Sequence, residues 1–529
     1  MLTLHVPGAE PAQPAETRPK AVAEWLDRLP LAQPADAARQ LRGALHALNQ
    51  HALGVDEHHA LLALYRPVVA RVTASLEAQF ADAGIPPQPQ QRQVGALLRE
   101  LQIELGIGYK QLLLAMANQR FGRASPKRSA EVSARLLAAL RDIQAACYLT
   151  YTPVPAGLWQ EMHQIHGFAR ASNLADNAVD DAPPPSLAYC QALLVALADP
   201  PHMSHAELVH TRLYLDQFAA LAMLTSAPVA SHCGFPIPAE GDAPPCHFAA
   251  SQPHSGLWLD TDVLCRHLHE TVLRLRRGET PRRIGLPTGM EAELGLALCE
   301  RLLKQWSTGA QRAFKRYARA TGTVQMVAGV SAIHRLLEGV PQAGPQGEAE
   351  GPAGADPVSA PLAVNATRWT VSNDSASGLA LSGTPNAPLN LKVGGPVALR
   401  ADPAVGAALQ PWPAPDGAAA WSLGVIRWVR MREAGQVEIG IERLSPQVQP
   451  VWVRPLRGHS KTNPEAALFV PGVAALRQPD RLLLPSHLYG IGIDAEVWHP
   501  PHQYTLTFGR RLEHTPSFDL IDFTLLADE

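Results

Sequence analysis

Two clusters of residues in this chain have the types and spacing to do chemistry. The first is Arg312-Ala-Phe-Lys-Arg316-Tyr-Ala-Arg319, set just ahead of a strand-like stretch, Thr323–Ala328. The second is Asn373-Asp374-Ser375-Ala376-Ser377-Gly378, which closes one strand-like run and opens the next. Arginine presents a planar fork of donors that matches a phosphate or the O6/N7 edge of guanine. Asn and Ser offer short polar contacts, and Gly lets a backbone approach closely. Two more cations lie on later runs, Arg400 in Val397-Ala-Leu-Arg400 and Arg427 in Gly424-Val-Ile-Arg427-Trp428, and Glu438-Ile-Gly440-Ile-Glu442 follows them. Each cluster also has a plainer reading. Asn, Ser and Gly at this spacing make ordinary turns, and the arginines could be the solvated end of a basic helix.

The combination resembles a PilZ domain, the bacterial receptor module for cyclic di-GMP. That family pairs an RxxxR segment before its first strand with a [D/N]xSxxG segment after it. Arg312 and Arg316 match the first pattern, with Lys315 and Arg319 as an alternative register; Asn373, Ser375 and Gly378 match the second. The resemblance implies that the arginines engage phosphates and guanine edges while Asn373 and Ser375 hold the other guanine against a barrel. On it the expected ligand-binding set is Arg312, Arg316, Arg319, Asn373, Ser375, Gly378, Arg400 and Arg427. Trp369 and Trp428 on nearby strands either stack on the ligand or fill the core. Trp25-Leu-Asp-Arg-Leu-Pro30, Leu45-His-Ala-Leu-Asn49, Leu64-Tyr-Arg-Pro67 and Val154-Pro-Ala-Gly-Leu-Trp159 are similar to a proteobacterial group with a long helical front and an atypical PilZ-related back. This implies a receptor rather than an enzyme, one that couples cyclic di-GMP at the barrel to a protein partner on the helical part and needs no cofactor. The competing expectation is a ligand-independent adaptor or chaperone-like scaffold that keeps a degenerate PilZ fold.

Other chemistries fare worse. His232-Cys233 and Cys246-His247 supply four possible zinc ligands, but adjacent Cys-His pairs chelate awkwardly and the usual CxxC or HxxxH spacing is missing. His267 and His269 stand two apart on an expected helix and so diverge. His163 and His166 share a face with Trp159 and Phe168 and read as packing residues. No metal site is expected. No phosphate loop, nucleophile elbow or HExxH motif appears, so the catalytic set is empty.

The elements that must position these residues divide the chain in two. From about Lys20 to Glu338 apolar residues recur at helical spacing, as in Leu61–Phe80, Val94–Leu105, Lys110–Asn118, Val132–Tyr148, Leu158–Ala171, Ser186–Ala198, Ala206–Leu224, Asp262–Arg276 and Glu291–Ala318. Much of the proline, 48 of 529 residues, stands between these segments as punctuation. A Pro/Gly/Ala/Glu stretch around Val340–Ala360 reads as a flexible insertion. After it come short strand-like runs: RWTVSN, GLALSG, PVALR, WSLGVIRWVRM, QVEIGIERL and PVWVRPL, then LFVP, RLLLP, EVWH, QYTLTFGRRLE and FDLIDFTLL. The expected class is multidomain, all-α then all-β. Its parts are a disordered tail (1–19), a helical domain (20–311), a hinge with the arginines and first strand (312–340), the insertion (341–362), a PilZ-like barrel (363–450), and a barrel extension or second barrel (451–529). Net charge is −3, with 18% charged and 6% aromatic residues. That disfavours nucleic-acid polymers, an RNA-binding barrel included, and anionic membranes as partners. No apolar run reaches membrane-spanning length, the N-terminus lacks signal-peptide character, and the six cysteines are scattered. A reduced, cytoplasmic protein is the expectation.

Overall fold

The structure, a computed structural model, describes residues 2–8, 14–80, 83–118, 125–178, 182–229, 233–245, 256–307, 322–338, 366–375, 377–385, 389–401, 421–432, 435–456, 463–473, 478–499 and 502–526. It forms two compact units, Met1–Ala83 with Pro87–Gln311, and Gly84–Pro86 with Arg312–Glu529.

In the first unit the described helices are α1 (Pro19–Leu26), α2 (Pro34–Asn49), α3 (Val55–Phe80), α4 (Pro89–Asn118), α5 (Pro126–Leu149), α6 (Leu158–Ala171), α7 (Pro185–Leu197), α8 (His205–Phe218), α9 (Asp262–Arg276) and α10 (Ala292–Ser307). Proline occupies the first turn of α1, α2, α5 and α7. There its missing N–H costs nothing, because the first turn has no intrahelical partner to lose. Leu41, Leu101, Leu140, Leu193 and Trp306 belong to one continuous core.

Three sequence expectations need correction in this unit. The two segments expected on either side of Gly106–Gly108 are one helix, α4. These glycines do not break it, and a Cβ at Gly108 would lie 2.8 Å from Leu62 of α3, so that glycine lets two helices close up. The region is also not all-α. Strands β1 (Met223–Thr225), β2 (Gly234–Pro236) and β3 (Trp258–Asp260) form a small antiparallel sheet in the order β1-β3-β2, and three-residue strands are too short to show a period. Lastly, the beginning of the expected disordered tail is anchored. His5 N–H donates to Glu161 at 2.8 Å, Thr3 N–H to Gln164 at 3.1 Å, and Leu4 is buried. Glu161 pairs with Lys110 at 2.6 Å, and the ammonium also reaches the His5 carbonyl. A largely buried ion pair needs further hydrogen-bond partners, and the tail backbone supplies them.

The second unit contains β4 (Thr323–Ala328), α11 (Val330–Glu338), β5 (Thr367–Ser375), β6 (Gly378–Gly383), β7 (Pro396–Ala401), β8 (Ser422–Met431), β9 (Val437–Ser445), β10 (Gln449–Pro455), β11 (Glu465–Val470), β12 (Arg481–Leu484), β13 (Asp494–His499), β14 (His502–His514) and β15 (Asp519–Leu525). Strands β4–β9 close into a barrel in the order β4-β5-β6-β9-β8-β7, and β10–β15 close into another in the order β10-β11-β12-β15-β14-β13. The C-terminal section is therefore a second barrel. Ile333 and Leu337 of α11 share a buried cluster with Val425 of the first barrel and with Leu468 and Leu483 of the second. One apolar seam thus ties both barrels to the helix.

Among the described residues no helix is long and apolar enough to cross a membrane.

Candidate functional site

Strand register shows what meets at one end of the first barrel. Val324 pairs with Trp369 on one side and with Ala401 on the other. Ser375 pairs with Gly378, Leu399 with Ser422, and Gly424 with Arg443. The start of β4, the β5–β6 hairpin, the end of β7, the start of β8 and the end of β9 therefore share one rim. The Gly322 carbonyl accepts from Val371 N–H at 2.9 Å, which carries the ladder past β4 towards that rim. Gly322, the first described residue ahead of β4, thus lies on the Asn373–Gly378 side. Arg312, Arg316 and Arg319 lie outside the described residues.

The hairpin owes its form to two devices. Register slips between Val371 and Asn373, a bulge that re-aims the residues after it; the Ser372 hydroxyl donates to the Ala380 carbonyl there at 3.1 Å. Gly378 faces Glu442, and a Cβ on it would lie 2.3 Å from the Ile441 carbonyl oxygen. The glycine is required because β9 passes so close. The Ser375 hydroxyl donates to the Gly378 carbonyl at 3.1 Å, closing the turn.

Arg443 on β9 holds this hairpin from the side. Its guanidinium donates to the Ser375 carbonyl at 2.5 Å and to the Asp374 carboxylate at 2.9 Å. Sequence reasoning passed over both Arg443 and Asp374, because only the β6–β9 register brings them together. Arg400 on β7 donates to the Gln325 side chain at 2.7 Å and lies 4.5 Å above the Trp421 ring. Trp421 is 5% exposed, and neither its Nε1–H nor the buried Arg400 Nε–H has a hydrogen-bond partner among the described residues. These two buried donors, one in the guanidinium and one in the indole it covers, each lack an acceptor among the described residues, and an unmet buried donor costs about 1–3 kcal/mol. Trp421 was also missed; it had counted only as the opening residue of a strand.

Arg427 belongs elsewhere. It sits in mid-strand on β8, donating to Glu442 at 2.5 Å and to Glu513 of the second barrel at 2.5 and 3.1 Å. Burial pulls its pKa down, but the hydrogen bonds and charges of Glu513 and Glu442 outweigh this, so the net shift is upward. In this structure Arg427, expected in the ligand set, acts as a clasp between the two barrels. Glu513→Gln is expected to destabilise the second unit by about 1–2 kcal/mol, read as a lower thermal midpoint. A partly exposed pair is discounted from the fully buried value.

The tryptophans separate. Trp369 is 1% exposed and is core. Trp428 is half-buried, lies across Gly440, where a Cβ would be 1.8 Å from its Nε1, and carries Arg430 5.4 Å from its ring. His163 and His166 pack as expected, His163 against Trp159 and Tyr189, and His166 stacked 4.3 Å from Tyr189. Among the described residues no group of three or more His, Cys, Asp or Glu is placed to share a metal ion. His232, Cys246 and His247 of the expected zinc pairs lie outside those residues.

Comparison with known proteins matches sequence models for three consecutive domains of one family. The N-terminal domain of the cyclic-di-GMP receptor FimW matches residues 20–229, its middle PilZ domain residues 235–342 and 358–450, and the FimW C-terminal beta-barrel domain residues 451–526. The family's middle domain thus takes in α9 and α10, which pack with the helical unit. The chain is similar to the cyclic-di-GMP receptor FimW of Pseudomonas aeruginosa, 27% identical over 574 aligned positions that cover 96% of this chain and 90% of the relative. No solved structure matches.

Proposed function

Because the chain belongs to the FimW family of PilZ-containing proteins, we propose that it is a receptor for cyclic di-GMP, bound at the rim of the first barrel. The observation that carries this reading is the pair of buried donors, Arg400 Nε–H and Trp421 Nε1–H, without partners among the described residues, where the end of β7 meets the start of β8 on the rim that also bears the Asn373–Gly378 hairpin. Cyclic di-GMP is rich in the acceptors they lack, with two phosphodiesters and two guanine Hoogsteen edges.

The roles follow from the strand placement. Arg400 is held over Trp421 and by Gln325, so its fork is set before a ligand arrives, and less side-chain entropy is lost on binding. Arg443 fixes the hairpin that presents Asn373. Arg312, Arg316 and Arg319, which precede β4 in the sequence, would engage the phosphates. Engagement of those arginines would be the route by which ligand alters what the helical unit offers a protein partner. Ligand shifts this equilibrium only by its differential affinity for the two arrangements. The proposed role is that of a receptor and not of a catalyst.

Isothermal titration calorimetry with cyclic di-GMP tests the site. Wild type is expected to give a saturable heat. Arg400→Ala and Arg316→Ala are each expected to weaken binding about tenfold to a hundredfold, the worth of a hydrogen bond to a charged group. Trp421→Phe keeps an aromatic face for Arg400 but loses the N–H and part of the ring area, so a loss of at least roughly fivefold is expected. No heat with folded wild type overturns the receptor reading. Unchanged affinity in Arg400→Ala overturns this placement of the site.

One observation favours the adaptor reading. The Ser375 hydroxyl and the Asp374 carboxylate are engaged within the fold, as they would be in a barrel kept for its shape. Partner pull-downs that respond to cyclic di-GMP exclude that reading.

A further inference from the structure

The small sheet of the helical unit brings together two cysteines that the receptor function leaves unused. Cys233 immediately precedes β2, and Gly234 pairs with Asp260, so Cys233 stands beside Thr261. Its carbonyl accepts from both the N–H and the hydroxyl of Thr261, each at 2.9 Å. Thr261 is fully buried at the N-cap of α9, and Cys265 lies one helical turn further on. Cys265 N–H donates to the Thr261 carbonyl at 2.8 Å, and its Sγ lies 3.8 Å from the Thr261 hydroxyl. The same thiol donates to the Trp306 carbonyl at 3.1 Å, in the last turn of α10. The Cys233 and Cys265 side chains lie close enough to shift each other's pKa. Both are thiols in this structure.

We propose that Cys233 and Cys265 are a redox modification site, closing to a disulfide when the protein meets a peroxide or a small-molecule disulfide. The two residues differ in the way such a reaction requires. Cys233 is half-buried and reachable, whereas Cys265 is 6% exposed and lies behind it. The interaction with Cys265 lowers the Cys233 thiol pKa, and the same interaction, together with burial, raises that of Cys265. The outer sulfur is the better nucleophile towards an incoming oxidant.

With hydrogen peroxide, the Cys233 thiolate attacks one oxygen, breaking the O–O bond. It becomes a sulfenic acid, and hydroxide leaves to take up the thiol proton as water. The Cys265 sulfur then attacks the Cys233 sulfur. Its proton and the sulfenic hydroxyl depart as a second water, and the S–S bond forms. Two thiols and one peroxide give one disulfide and two waters. With glutathione disulfide, Cys233 first takes one glutathionyl group and releases glutathione, then Cys265 displaces the second glutathione. In either case Cys265 loses the S–H that held the Trp306 carbonyl. The last turn of α10, from which the chain runs on to Arg312, gives up one of its ties.

The test uses the full chain, reduced and then treated with hydrogen peroxide or with glutathione disulfide. Alkylation, proteolysis and mass spectrometry follow. The expected result is loss of alkylation at both cysteines and a dominant linked peptide pair joining Cys233 to Cys265, lighter by two hydrogens and restored by dithiothreitol. In Cys265→Ala the bridge is absent and Cys233 is trapped by dimedone as the sulfenic acid, or retained as the glutathione adduct. Both cysteines remaining alkylatable in wild type, under oxidant that consumes added glutathione completely, overturns the proposal. A dominant bridge from Cys233 to Cys246 overturns it equally, and neither readout depends on cyclic di-GMP.

Discussion

Replacing Gly378 with alanine is expected to destabilise the barrel unit by about 1–3 kcal/mol, the usual cost of forcing atoms into a packed site, and to abolish the calorimetric signal of cyclic di-GMP. The added methyl would sit 2.3 Å from the Ile441 carbonyl oxygen and 3.5 Å from Glu442 Cα. Both are backbone atoms of β9 and cannot swing aside as a side chain would. The clash is relieved only by parting β6 from β9 at the rim. That movement carries the hairpin away from Arg443, whose bonds to Ser375 and Asp374 depend on the same register. Stability and binding should fall together, by thermal unfolding and by titration. Gly43→Ala in α2 is the control. A Cβ there meets nothing within 4 Å, and alanine is the better helix former by about 1 kcal/mol, so stability should rise and binding stay unchanged. Gly378→Ala with wild-type affinity would show that the hairpin does not shape the site.

Trp369→Ala is expected to have the largest effect on folding alone, a loss of about 3–5 kcal/mol for a fully buried aromatic. The indole is 1% exposed, its Nε1–H donates to the Thr367 hydroxyl at 2.9 Å, and it lies over Gly383, where a Cβ would come within 2.9 Å of the ring. A loss of that size is a large share of the roughly 5–15 kcal/mol that holds a typical domain folded. Urea unfolding followed by barrel-unit fluorescence measures it. A change below about 1 kcal/mol would mean that Trp369 is not part of the packed interior. Gly383 to a larger residue should be better tolerated in the Trp369→Ala background than in wild type, because the ring it would strike is gone.

The strand pattern of the back third was legible because alternation survives in single strands such as Val437–Ser445 and Asp494–His499, where inward and outward positions differ in chemistry. Whether the last six strands extend one barrel or close another could not be read, since closure is a matter of pairing order and leaves no trace in any one strand. The hairpin was legible for a similar reason. Asn373, Ser375 and Gly378 are neighbours in sequence, and the turn keeps them neighbours in space. Arg427 looked like Arg400, a cation on a strand of the same barrel. The difference lies in Glu513, which only the second barrel brings near. Arg443, Asp374 and Trp421 were invisible for the same cause, their importance depending on partners on other strands. The anchored start of the N-terminal segment shows the opposite case, where composition suggested disorder and one buried ion pair on distant helices decided otherwise.

The first barrel is sealed by its own first strand. β4 joins β5 on one side and β7 on the other, yet α11 and a long run of chain separate it from both partners in sequence. During synthesis it leaves the ribosome well before either neighbour exists, with Val324 and Met326, both buried in the finished molecule, exposed to water. Closing so long a loop is entropically slow, and an unpaired apolar strand is an invitation to wrong pairing for as long as it waits. The strand order that seals the barrel therefore also leaves the newborn chain with an edge that holding chaperones would have to shield. A mutation that slows the making of β5 to β7 would lower the yield of folded protein without altering one contact of its final form.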